Sequence, residues 1–152
     1  MGRHVFQTCP VLGDTTQVQH AFTSDPGTWL PAPADAVDHD TWTIRLTAGP
    51  ATQSVHATVG APFDLGEVTW RTIRWQPPED ATLHRFLPAF TGEIGLRAAD
   101  TGTLVVQGHY APPGGTVGSA IDTLALHRVA DATIHTLVAS VAERLQVPTS
   151  VA

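Results

Sequence analysis

Between His109 and Leu145 the chain changes period, and that change constrains the fold more than any other feature. The segment His109-Tyr110-Ala111-Pro112-Pro113-Gly114-Gly115 closes an alternating stretch. Proline cannot donate to a sheet ladder, so a strand ends at Pro112. Gly114 and Gly115 then allow a turn that other residues resist. Ser119 has the chemistry of a helix cap, and the carboxylate of Asp122, three residues on, suits the positive end of a helix dipole. Leu126, Ala130, Ile134, Leu137, Val141 and Leu145 recur at spacings of three and four, which is one helical face. Arg144 suits a last turn, and Pro148 stops extension. The spacing predicts a helix over 119–146, roughly 40 Å long at ~1.5 Å per residue. A helix of that length crosses a whole small domain.

Upstream, the apolar period is two. Arg3 to Leu12 alternates around Val5, Cys9 and Val11 and reads as a first strand. Asp14, with Gln17 three residues later, caps a short helix over 15–23 with Val18, Ala21 and Phe22 on its apolar face. Thr28 to Pro31 reads as a further helical turn packed through Trp29, and Pro31 to Asp40 as a loop. Trp42-Ile44-Leu46 and Val55-Ala57-Val59 alternate as strands about the turn at Gly49-Pro50. Val68 to Trp75 is another strand, but Trp70 and Trp75 have opposite parity, so its faces stay open. Pro88 to Ala99 carries Phe90, Gly92, Ile94 and Leu96 on one face. After the turn Asp100-Thr101-Gly102, the last strand carries Leu104, Val106, Gly108 and Tyr110 on one face. A further short strand fits between Gly60 and Gly66. Strands joined by short turns make an antiparallel sheet, and only the long helix can cover its apolar face. The expectation is one α+β domain over 1–152, with strands within 3–111: a curved antiparallel sheet of six to seven strands around a long C-terminal helix.

Composition excludes several functions. The formal charge is −6 with no basic patch, which argues against nucleic acid. All eight basic residues are arginine, so lysine Schiff-base chemistry is unavailable. Cys9 is the sole cysteine, so no internal disulfide and no multi-cysteine zinc site can form. No apolar run has the length of a signal peptide or a membrane span, which predicts a cytoplasmic protein without membrane insertion.

The candidate polar residues are few. Tyr110 shares a face with Leu104 and Val106, so its hydroxyl is expected at a cavity. Of Arg71 and Arg74, on opposite faces, one is expected inward, where a guanidinium needs a carboxylate or a polar ligand group. His127, Asp131 and His135 have residue types that suit zinc or iron, but steps of four drift around the helix, so they read as a polar shoulder. His4, His20, His39, His56, His84 and His109 show no ligand spacing. His109 is expected on the outer face, as are Glu93 and Arg97. No metal and no cofactor is expected.

The stretch from Gly108 to Asp122, with its Tyr-x-Pro-Pro-x-Gly turn before an aspartate-led helix, resembles small bacterial members of the START-like superfamily. This is also called the polyketide cyclase/dehydrase and lipid transport superfamily, and its fold is the helix-grip. Ile73-Arg74-Trp75, the Phe86 to Phe90 segment and His127-Arg128-Val129-Ala130 look like the same group. The resemblance implies an apolar cavity between the sheet and the terminal helix. Relatives bind lipids, sterols, plant hormones or polyketides. Some cyclise polyketides, some assist chaperones, and some carry iron in an elaborated version. No family catalytic set can be laid on this chain. The expected function is therefore binding or transport of a hydrophobic small molecule by a monomer or homodimer. The expected contacts are Tyr110, Phe90, Ile94, Val106, Trp42, Leu126 and Ala130. A cyclase, aromatase or dehydratase acting in the same cavity is the alternative, and a protein-interaction module is a second one.

Overall fold

The period-two segments pair into one sheet. In the computed structural model, which describes residues 3–31, 34–48, 51–76, 89–98, 102–111 and 120–146, the chain begins with β1 (Arg3–Val11), α1 (Thr15–Thr23) and a 3-10 turn (Pro26–Thr28). It continues through β2 (Asp35–Ala36), β3 (Thr41–Ala48), β4 (Ala51–Val59), β5 (Phe63–Leu65), β6 (Val68–Gln76), β7 (Ala89–Ala98) and β8 (Gly102–Ala111). It ends in α2 (Ala120–Gln146). The strand order is β1-β8-β7-β6-β4-β3-β2, with β5 beside β6, and all pairs are antiparallel.

Among the described residues eight strands stand where six to seven were expected. β5 fills the option between Gly60 and Gly66. β2 is the addition: two residues of the expected loop, Asp35 and Ala36, pair with Thr43 and Trp42. So short a pairing leaves no periodicity to read. α1 is capped as expected, the Asp14 carboxylate accepting from the Thr16 and Gln17 main-chain N–H groups. The helical turn expected at Thr28 to Pro31 sits earlier, at Pro26–Thr28. Asp25 accepts from the Gly27 N–H, and Pro26 at the first helical position starts the turn there. Trp29 follows it into the core, stacked on Phe22 with ring centres 5.2 Å apart.

On α2, Ala130, Ile134, Leu137, Val141 and Leu145 are buried as their spacing predicts, and Val138 and Ala142 widen the stripe. Leu126 and His127 lie on this helix, but their side chains fall outside the described ones, as do Ser119 and the turn at 112–118. The helix packs against β1, β3 and β8, whose Val5, Ile44, Leu104 and Val106 are buried. No helix among the described residues is long and apolar enough to cross a membrane.

One part of this concave face has an unusual floor. Gly92 and Gly108 pair directly across β7 and β8. A Cβ at Gly108 would stand 2.6 Å from Gly92 Cα and 2.8 Å from Phe90 Cζ; one at Gly92 would stand 2.9 Å from the same ring atom. The Phe90 ring therefore lies across two positions where any larger residue would collide with it. Trp75 stacks on that ring, with centres 4.6 Å apart and planes 21° apart.

Candidate functional site

The alternation of β8 carries Tyr110 inward beside Gly108, and that of β6 carries Trp75 inward beside Ile73; both are buried. Opposite them α2 presents Ala130, Thr133 and Ile134. These five residues enclose a void of about 10 Å³. That is about what a single water requires. Ala130 is a small member of the helical face, and the gap lies where it meets the aromatic pair. The void sits at one end of the grip, because Trp75 and Tyr110 are each the last residue but one of their strands.

The walls are mostly hydrocarbon, with a few polar atoms. The Trp75 indole N–H is buried and has no hydrogen-bond partner among the described residues. A buried donor of this kind costs roughly 1–3 kcal/mol when left unmade. Tyr110 and Thr133 are the other polar residues of this lining. Tyr110 is the only titratable residue among these five, so the described lining offers no acid–base pair.

Of the residues expected at a ligand, Tyr110 and Ala130 border the void. Phe90 lies behind Trp75, in the stack just described. Ile94 and Val106 are a cross-strand pair, buried farther along β7 and β8. Trp42 is buried on β3 with its indole towards Gly27, where a Cβ would be 3.1 Å from Nε1. Reading the sequence did not single out Trp75 or Thr133. The register pairing Trp75 with Phe90 would have found the first.

One of the two arginines faces inward, as expected. Arg71 is the inward one and Arg74 is exposed. Among the described residues no carboxylate accepts a hydrogen bond from the Arg71 guanidinium. It donates to three main-chain carbonyls, those of Gly60 and Phe22 at 2.8 Å and of Ser24 at 2.9 Å. Phe22 and Ser24 end α1, where free carbonyls and the negative end of the dipole favour a cation. Burial pushes the Arg71 pKa below its ordinary value, and the Asp25 carboxylate opposes that shift. Its guanidinium also lies 5.8 Å from the centre of the Trp29 ring.

The polar shoulder of α2 rests on β1. Gln7 donates to the Asp131 carbonyl at 3.4 Å, and its amide oxygen lies 3.4 Å from His135 Nδ1. Among the described residues no three histidine, cysteine or carboxylate side chains converge as a metal site would require. On the outer face Arg97 pairs with Glu67 at 3.0 Å, and Glu93 accepts from Gln107 at 3.5 Å.

No family model matches the chain, and no curated protein matches it. Solved structures do. The chain is similar to the Zhui aromatase/cyclase from Streptomyces sp. R1128, with 13% identity over 95% of this chain and 94% of that one and a TM-score of 0.61. It is similar to a point mutant of norcoclaurine synthase from Thalictrum flavum in complex with a transition-state analogue, with 9% identity over 96% and 92% and a TM-score of 0.55. It is similar to Ara h 8.0201, with 11% identity over 95% and 98% and a TM-score of 0.53. At such identities the shared property is the fold. The chain has the helix-grip architecture of START-like proteins, as its sequence resemblance implies.

Proposed function

We propose that this protein binds a hydrophobic small molecule that carries a hydrogen-bond acceptor, in the space between α2 and the ends of β6, β7 and β8. The observation that carries the reading is the Trp75 indole N–H, buried without a partner in a residue that lines a void. An acceptor placed there would satisfy it; an apolar group would not. The void takes only a ligand's polar tip. The body would lie outward, against Tyr110 and Ala130. Phe90, Ile94 and Val106 continue the apolar surface behind Trp75, and Trp42 belongs to the same core from β3. Binding is favoured over a cyclase, aromatase or dehydratase reaction, because such chemistry needs an acid and a base around one point.

The test is titration with a naphthalene dye bearing a ketone, and with the same hydrocarbon lacking it. The parent should bind both saturably and the ketone more tightly. Trp75→Phe keeps a stacked ring but loses the N–H. It should erase most of that preference, roughly fivefold for one net hydrogen bond of about 1 kcal/mol. A folded parent that binds neither dye saturably overturns the proposal.

A further inference from the structure

On the face of the sheet opposite the cavity, the register of β1 against β8 sets His4 directly across from His109. Both side chains are exposed. Their rings stand with centroids 5.1 Å apart and planes 67° apart. Cross-strand partners of this kind bring their Cβ atoms to about 4.5–5.5 Å, so both imidazoles reach one point above the sheet.

That spacing can be compared with what a shared ion requires. Zinc binds imidazole nitrogen at about 2.0–2.1 Å, and the ring centre lies about 1.1 Å beyond the nitrogen, so each centre stands about 3.2 Å from the ion. At a tetrahedral angle, two such centres are about 5.2 Å apart. The observed 5.1 Å matches this without any movement of the backbone. Turning one nitrogen of each ring inward takes side-chain rotation alone, on an exposed surface.

We propose that His4 and His109 form a two-histidine site for a borderline divalent ion of the zinc, copper or nickel class, the ions that imidazole suits. Two protein ligands leave two tetrahedral positions for water or for donors from another molecule. The site is accordingly a weak one, and distinct from the tight, metal-built centre that the histidine spacing along the chain argues against. Across β8, the neighbour of His109 is Thr91 on β7, and beyond it Arg74 on β6, so no carboxylate stands in this row to compete for the imidazoles. The other described histidines lack the arrangement. His39 turns Nδ1 to Asp38 and Nε2 to Asp40, so its nitrogens diverge. His135 faces Gln7.

The experiment is a titration of the full chain with Zn²⁺ alone in a non-coordinating buffer, followed through the histidine ring resonances. The rings of His4 and His109 should shift together, at the same ion concentration and before the other histidines. His4→Ala and His109→Ala should each weaken binding at least tenfold, whereas His56→Ala should leave it unchanged. The ketone-dye titration should be the same with and without Zn²⁺, because the two sites lie on opposite faces; it therefore fails or succeeds independently. Shifts that begin at other histidines overturn the proposal, as does parent-like affinity in His109→Ala. Should either variant unfold, the order of ring shifts in the parent still decides.

Discussion

Replacing Arg71 with methionine separates a charge from the carbonyls that hold it while keeping most of the side-chain volume. Three donors are lost, at 2.8, 2.8 and 2.9 Å. Hydrogen bonds to a charged group contribute about 1.5–3 kcal/mol each, but simple addition overshoots. Burying the guanidinium has its own cost, visible in its lowered pKa, and the variant recovers that cost. The hydrogen bond to the Phe22 carbonyl is the buried one; those to Gly60 and Ser24 are part-buried, so water can replace the donor there. One fully stranded carbonyl and two partly compensated ones give a net loss of about 3–4 kcal/mol. For a chain of this length that lowers the melting temperature by roughly 10 °C. Circular dichroism melts of parent, Arg71→Met and Arg71→Lys would measure it. Lysine should fall between the others, because one ammonium cannot fork to three acceptors. Hydrogen exchange should quicken first at the Thr28, Trp29 and Leu30 amides, whose bonds return to Asp25 and Pro26. A methionine variant melting within about 2 °C of the parent would refute the reasoning, since that is under 1 kcal/mol.

Leu137, 1% exposed, should cost about 2–5 kcal/mol as alanine and more as aspartate, which buries an unpaired carboxylate; thermal melts check this, and an aspartate variant that melts like the parent would show the helix phase wrong. Gly108→Ala puts a methyl against Gly92 and the Phe90 ring and should cost about 1–3 kcal/mol. Adding Phe90→Ala should then cost less than the two single losses together in a urea-denaturation cycle; strict additivity would mean the ring does not press on the glycines.

The long helix and the inward rows of β3, β7 and β8 were legible because each repeats its period over many residues. β6 was not, because Trp70 and Trp75, and likewise Arg71 and Arg74, put the same residue types on both faces. What breaks the tie lies on another strand. A Cβ at Gly95 would be 2.6 Å from the Trp70 ring, so Trp70 takes the outer face over a glycine of β7. The inward arginine, not assigned between Arg71 and Arg74, was expected to need an acidic or ligand partner because carbonyls at a helix end carry no mark in composition. The cavity suffered similarly: Tyr110 and Ala130 followed from parity and helical phase, whereas Trp75 and Thr133 depend on how helix and sheet are laid together. The His4 and His109 pairing joins residues 105 positions apart, and only the register of β1 on β8 reveals it.

The stack of Gly92, Gly108, Phe90 and Trp75 has a bearing on how such a binding space can diverge. It is a set of layers: bare backbone, then one ring, then another. An aromatic layer is about 3.5 Å thick, the contact distance of two carbon faces. Exchanging Phe90 for a smaller residue would lower the seat of Trp75 by up to one layer, while strand pairing and helix packing stay as they are. Capacity in this grip is then adjustable in discrete steps at a single position, with the two glycines acting as the fixed bench on which shims of different thickness are laid.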